Sequence, residues 1–355
     1  MDETSLVLID YIKETELIAK KALNKLDKNS NFQIVPAVDV GIPFHVERLA
    51  GGFPTGAFVE WNCAVPIIPI DTNVNCCTAS VFELSNKCDD VLFKHNLRML
   101  INSDKDSTYQ FNFNKGNHFI SLCYDNKKNW YLILHSSAKE FSVGYNGLIP
   151  VKGNWYYDKI ITYEENNRYF RYIKGTSAEL FARIAISLNK YNEVRHEFTA
   201  LNILRDNVDI KSIKHYHHYG MGNCQSINVG CYNLMQGDCY PLFTKPGYPI
   251  DMFEIRKCNY HNWAGELIAP HGWGKKYDGS LSIKTNYSKN RIIISDVPMN
   301  LFEDNSLYSL PQVKYRDFDN NGNNEFYEYF KHYIDGCVRN RFFQHIYLNK
   351  SSELL

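Results

Sequence analysis

The chain has 355 residues, no formal net charge, and 44% apolar and 14% aromatic residues. This composition predicts a globular protein and excludes a disordered chain. Zero net charge means that any binding to nucleic acid must use a local basic patch.

The N-terminus is acidic, and no apolar run approaches the roughly 18 residues of a membrane span. The chain has ten cysteines without a tight framework, which predicts free thiols in a reducing compartment. We therefore expect a cytoplasmic protein with no membrane partner.

Residues 1–30 carry apolar side chains at helical spacing and predict an N-terminal packing helix. Residues 32–85 predict short strands and turns, and residues 107–135 predict strands. Thr176-Ser177-Ala178-Glu179 has the pattern of a capping box and predicts a helical insertion over 175–205.

Short strands follow over 225–300, and an aromatic-rich segment predicts a C-terminal helix over 324–350. No repeat or linker divides the chain. We expect one α+β domain over 1–355, with central antiparallel β-sheets and flanking helices.

A β-hairpin is predicted over 116–136, because two apolar runs flank the turn-like residues 125–128. His118 and His135 lie at equal distances from the turn centre, so a regular pairing would place them face to face. They could hold one metal ion, or one ion each in a two-metal centre. Two unrelated surface histidines are the alternative.

The segment Pro270-His271-Gly272-Trp273-Gly274-Lys275 combines a histidine, two glycines and a cation. A neutral imidazole can attack a phosphate whose charge is neutralised, and glycines allow backbone N–H groups to approach it. A glycine-rich surface turn is the alternative.

Both segments resemble the RtcB family of GTP-dependent RNA ligases. That family has a GNHF strand and a second strand ending in LHSGSR, with the two histidines seventeen residues apart as here. Its HGAGR motif resembles the segment at His271. Further matches follow in the family's order: His217-His218-Tyr219 resembles HHNY, Pro246-Gly247 resembles PGSMG, and Tyr315-Arg316-Asp317-Phe318 resembles YKDI.

The resemblance implies that His271 attacks GTP and carries GMP, and that an RNA end with a 3′-phosphate or 2′,3′-cyclic phosphate is activated by this GMP and joined to a 5′-hydroxyl. It implies Mn²⁺ as the metal, RNA (tRNA halves or nicked RNA) rather than DNA as the partner, and two sets of binding residues. The metal ligands would be Cys77, His118, His135 and His218, and the nucleotide contacts would be Asn117, Gly272, Gly274, Lys275 and Lys350.

The sequence also departs from the family. The aspartate of the DxGCGM motif becomes Asn75, Cys77 fits the cysteine only after a one-residue shift, and Asp71 is the nearest carboxylate. PDVH becomes Ala37-Val38-Asp39, and several arginines are missing. A site of histidine and cysteine would suit Zn²⁺ at least as well as Mn²⁺.

These departures leave two alternatives open: a non-catalytic RNA- or partner-binding protein, or another metal-dependent phosphoryl-transfer enzyme. We predict that any metal site includes Cys77 or Asp71.

Asp317 to Glu328 also fits the formula of a calcium loop, although a polar loop before the last helix is preferred. Lys214 could contact RNA phosphate and Tyr216 could stack a base, or both could lie on a strand edge.

Overall fold

The computed structural model describes residues 2–103, 111–114, 116–138, 147–243, 247–272, 274–303, 306–316 and 334–349, with the backbone alone for 334–339. Within these ranges the chain combines four α-helices with many strands. The helices are α1 (Glu3–Asn24), α2 (Val46–Ala50), α3 (Asp90–Ser103) and α4 (Thr176–Leu204). None of the described helices is long and apolar enough to cross a membrane.

The strands, in chain order, are β1 (Asn31–Gly41), β2 (Thr55–Asn62), β3 (Ile67–Pro69), β4 (Thr78–Leu84), β5 (Phe119–Tyr124), β6 (Trp130–Ser136), β7 (Ile161–Glu165), β8 (Arg168–Lys174), β9 (Ile210–His217), β10 (Tyr219–Asn223), β11 (Ser226–Val229), β12 (Cys231–Leu234), β13 (Cys239–Phe243), β14 (Ile250–Cys258), β15 (Leu267–Pro270), β16 (Lys275–Tyr277), β17 (Ile283–Asn286), β18 (Arg291–Ile294), β19 (Val297–Asn300), β20 (Val313–Tyr315) and β21 (Ile334–Asn349).

The largest sheet among the described residues has seven strands in the order β13-β14-β21-β5-β6-β4-β9, all paired antiparallel. A four-stranded sheet has the order β1-β2-β11-β10, and smaller sheets join β3-β8-β7, β17-β18-β19, β12-β15 and β16-β20. The prediction of antiparallel sheets with helices is confirmed at this level of detail.

The predicted N-terminal helix is present as α1. Asp2 caps α1 by accepting a hydrogen bond from the Ser5 amide at 2.8 Å, and one face of α1 is buried against the sheets. The long helix α4 is also confirmed, but the capping box before it is wrong. Gly175 precedes the helix in a left-handed conformation (φ +63°) without a side-chain cap.

The predicted C-terminal helix over 324–350 is wrong over its described part, because residues 334–349 form β21 in the interior of the large sheet. Aromatic and β-branched residues favour strands. The register of β21 shifts at Gln344/Ile346, and again opposite Met252/Phe253 of β14. These shifts interrupt the alternation of inward and outward side chains by which a strand is recognised from its sequence.

One end of the large sheet gathers residues that are distant in sequence. Antiparallel pairing sets Thr78 at the start of β4 opposite both Ser136 and His217, which end β6 and β9. Phe119 at the start of β5 pairs with His135. Residues that flank these strand ends are therefore brought together.

Candidate functional site

A buried cluster of one thiol and two imidazoles lies at this end of the sheet. The Cys77 Sγ atom is 3.2 Å from His135 Nε2, which is 3.1 Å from His218 Nε2. Bond lengths of 2.0–2.3 Å in a tetrahedral zinc site separate two nitrogens by about 3.4 Å, and sulfur from nitrogen by about 3.6 Å. The two measured separations are within a few tenths of an ångström of these values, and all three atoms lie within 4.8 Å of one another, so the group could hold a single metal ion.

Each imidazole is oriented by a hydrogen bond from its other nitrogen. His135 Nδ1 donates to the Asn117 carbonyl at 3.2 Å, and His218 Nδ1 donates to the Tyr216 carbonyl at 3.4 Å. These bonds place the proton on Nδ1 and leave a lone pair on each Nε2 within the cluster. Metal-binding histidines commonly have this arrangement.

His118 extends the cluster on one side. Its Nε2 lies 4.0 Å from Cys77 Sγ, and its Nδ1 donates to the Asn112 carbonyl at 2.9 Å. The predicted face-to-face pairing with His135 is wrong by one residue, because His135 pairs with Phe119. His118 precedes β5, so it escapes strand alternation and still lies with its ring 5.6 Å from that of His135.

The two adjacent cysteines separate because Cys76 adopts a left-handed backbone conformation (φ +55°). Its thiol donates to the Ala185 carbonyl of α4 at 3.4 Å, whereas Cys77 faces the histidines. Burial raises the pKa of the Cys77 thiol, although the positive charge of Arg195 lowers it. Cys77, which matches the family's cysteine only after a one-residue shift, is therefore the cysteine whose thiol lies at the cluster.

Asp71 is not at the cluster, so the alternative that it serves as a ligand is wrong. Its carboxylate is fully buried and is bound by the Arg171 guanidinium, with Nε 3.0 and 3.1 Å from the two oxygens. Among the described residues, the group whose ligand atoms all lie within 4.8 Å of one another contains Cys77, His135 and His218 and no carboxylate.

His271 lies against this cluster. Its ring stacks on that of His218 with centroids 4.9 Å apart and planes inclined by 22°. Burial is the main cause that lowers the pKa of His271 to about 3; the charges of His135 and Arg48 act in the same direction, and a hydrogen bond with the Gly230 backbone opposes them. The imidazole is therefore neutral at pH 7, and its buried Nδ1 has no hydrogen-bond partner among the described residues.

The neighbouring glycines are required by close packing of backbones. A Cβ atom on Gly272, which has φ +89°, would lie 1.5 Å from the Phe243 carbonyl oxygen. A Cβ atom on Gly274 would lie 2.1 Å from the Asp39 carbonyl oxygen. The sequence predicts that these glycines let backbone N–H groups approach a phosphate. In the structure they also allow two backbone segments to pack closely.

Two buried cations belong to this part of the molecule: Arg48, whose charge acts on His271, and Lys275, which follows His271 by four residues. Lys275 is 9% exposed and forms no ion pair with a described residue; its Nζ lies 3.7 Å from the Tyr308 ring centroid and 4.4 Å from that of Tyr315. Burial lowers the pKa of Lys275. Arg48, which the sequence reasoning missed, donates to the Tyr219 hydroxyl at 3.3 Å. Both cations are suited to a phosphate.

Asp39 is a second missed residue. Its carboxyl is fully buried, and neither side-chain oxygen meets a hydrogen-bond partner among the described residues. Burial raises the pKa of Asp39 to about 7, and the positive charge of the Arg316 guanidinium opposes this shift. In the sequence, Asp39 could have been recognised as the one acidic residue within the apolar run of β1.

Several predicted residues have other environments. Asn117 contributes its backbone carbonyl to His135. Tyr216 is buried beside Tyr232, so the suggestion that it stacks a base is wrong, while Lys214 is exposed on β9. The predictions for Lys350, Trp273, Pro246 and the calcium-loop segment from Asp317 to Glu328 lie outside the described residues.

No known protein-family profile matches the chain, and no curated protein is significantly similar to it. The geometry of the cluster and the sequence motifs are therefore the basis for a functional proposal.

Proposed function

We propose that this protein is an RtcB-like RNA ligase that depends on GTP and a divalent metal. His271 would attack the α-phosphorus of GTP, the bond to pyrophosphate would break, and GMP would remain on the imidazole. An RNA 3′-phosphate would then displace the imidazole, and a 5′-hydroxyl would attack that activated phosphate and release GMP.

One observation carries the proposal: the 4.9 Å stacking of neutral His271 on His218, whose Nε2 belongs to the Cys77–His135–His218 group. A nucleophilic imidazole must be deprotonated, and the buried surroundings of His271 keep it so. Arg48 and Lys275 supply positive charge for the phosphates of GTP.

Cys77, His135 and His218 would hold the metal, with His118 as a fourth donor. Bound there, a divalent ion would neutralise phosphate charge. Because the donor set is a thiol with imidazoles, it suits Zn²⁺ as well as the Mn²⁺ that the family resemblance implies.

A second candidate is a non-catalytic RNA- or partner-binding protein on the same scaffold. The observation in its favour concerns Asp71, the carboxylate nearest in the sequence to Cys76 and Cys77. Its side chain binds Arg171 and lies away from the cluster. A site that kept the imidazoles but lost a carboxylate could retain a structural metal without turnover.

The test is incubation with α-phosphate-labelled GTP and either Mn²⁺ or Zn²⁺, followed by denaturing electrophoresis. We expect an acid-labile label that His271→Gln abolishes, while this variant still binds metal. His261→Gln, which changes an exposed histidine outside the cluster, should label normally. If the metal-loaded wild-type protein takes no label with either ion, the non-catalytic candidate is favoured.

A further inference from the structure

The seven-stranded sheet has one open edge. Strand β9 ends the strand order, and the described residues place no further strand on its outer side. Residues 211–214 of β9 are all exposed, whereas Tyr240 to Phe243 of β13 at the opposite edge are buried. An open edge presents unpaired N–H and C=O groups that can pair with another chain.

Helix α4 runs alongside β9 in a regular register. Glu193 contacts His217 at 2.6 Å, and Glu197 contacts His215 at 3.1 Å. Four residues of helix advance about 6 Å and two residues of strand about 6.6 Å, so the next pair in this register is Leu201 and Ile213.

This next pair is apolar and faces solvent. Leu201 is 62% exposed and Ile213 is 41% exposed. Val194 lies two turns earlier on α4 and is 53% exposed. Single exposed apolar residues are common, but a continuous group beside an open strand edge indicates an interaction surface.

We propose that two copies of this chain form a symmetric dimer by antiparallel pairing of their β9 strands, centred on Ile213. Two-fold symmetry then sets Ile213 opposite the partner's Ile213, Ser212 opposite the partner's Lys214, and Lys211 opposite the partner's His215. The sheets become continuous, and the apolar groups of the two α4 helices lie side by side.

The charges along β9 favour this occupant and this register. Lysines on an edge strand usually oppose pairing. Here the partner's Lys211 meets His215, whose ring nitrogen contacts the 41%-exposed Glu197. The partner's Lys214 meets Ser212, whose hydroxyl donates at 3.2 Å to the 40%-exposed Glu83, a carboxylate that also lies 3.8 Å from Lys211 of its own chain. Pairing centred between Ser212 and Ile213 would instead oppose Lys211 to Lys214, which is unfavourable.

The first test is sedimentation velocity over a range of protein concentrations. We expect a monomer–dimer equilibrium, and we expect Ile213→Lys to raise the dimer dissociation constant by roughly thirtyfold or more, as for loss of a central interface residue. Met235→Lys is the matched control, because Met235 is 62% exposed on the turn between β12 and β13, at the other end of the sheet.

The second test locates the interface by disulfide formation in a Cys224→Ser background, which removes an exposed thiol. Ile213→Cys should cross-link the dimer under mild oxidation, because opposed Cβ atoms lie about 5 Å apart. Lys211→Cys should not, because it would lie four residues, or about 13 Å, from its counterpart. A wild-type monomer at all concentrations, a dimer insensitive to Ile213→Lys, or equal cross-linking of both cysteines would overturn the proposal.

Discussion

The imidazoles of His218 and His271 are stacked, with 4.9 Å between their centroids and 22° between their planes. A charge on either ring would be both desolvated and repelled by its neighbour, and burial with the charge of His271 lowers the pKa of His218 well below its usual range. The stack therefore keeps both imidazoles neutral at pH 7, which the proposed metal ligand His218 and the proposed nucleophile His271 both require.

We predict that Cys77→Ser weakens Zn²⁺ binding by roughly a hundredfold or more, because loss of a thiolate ligand exceeds the effect of losing an outer-shell partner. Equilibrium competition with a chromophoric chelator measures the affinity. Cys76→Ser is the control, since that thiol faces the Ala185 carbonyl and a hydroxyl can replace it. Equal losses in both variants would remove Cys77 from the ligand set.

Metal binding should also release about one proton per Zn²⁺ at pH 7. Burial raises the pKa of the free Cys77 thiol and lowers that of His135 to about 4, so the thiol carries a proton that the metal displaces and His135 carries none on Nε2. Calorimetry in buffers of different ionisation enthalpy measures this number. In Cys77→Ser it should fall close to zero, and a persistent proton release there would indicate a different titrating ligand.

The strand ends that build the cluster were partly predictable. The hairpin turn and the apolar runs predicted β5 and β6, and motif order brought His118, His135, His218 and His271 into one hypothesis. The one-residue error in the pairing of His135 arose because turn geometry, with Lys128 at φ +64°, fixes the register and the residue types alone do not.

Other features depend on long-range packing that a single sequence does not reveal. The bulged strand β21 resembles a helix in sequence because its alternation is interrupted. The partners of Asp71 and Arg48 lie on other elements, at Arg171 and Tyr219. Burial of Asp39 likewise depends on the approach of Gly272 and Gly274 from a distant segment.

Asp71→Asn should destabilise the protein by about 3–5 kcal/mol while leaving Zn²⁺ affinity unchanged. The substitution leaves the buried Arg171 guanidinium without its counter-charge, and neither residue belongs to the metal group. Urea unfolding gives the free energy, and chelator competition gives the affinity. Loss of metal without loss of stability would restore Asp71 as a ligand candidate. As a surface control, Asp10→Asn removes an exposed carboxylate in an exposed ion pair and should change stability by less than about 1 kcal/mol.

The last prediction concerns Asp39 and pH. Burial raises its pKa in the folded protein from 3.8 to about 7. Between these values the unfolded chain has lost the proton and the folded chain retains it, so this group makes the free energy of unfolding fall as pH rises. The side-chain amide introduced by Asp39→Asn carries no charge at any of these pH values. The substitution would therefore remove this decrease in the free energy of unfolding.

We therefore expect Asp39→Asn to gain stability relative to wild type between pH 4 and pH 8, by roughly 3–4 kcal/mol from a shift of about three pH units. Paired urea unfolding curves across this range measure the difference between the two proteins, which cancels the contributions of the buried histidines. The packing of Arg316 should persist, because it also binds the Asp39 backbone carbonyl at 2.8 Å and the Asp2 carboxylate. Parallel pH profiles for Asp39→Asn and wild type would show that Asp39 is ionised in the folded protein throughout.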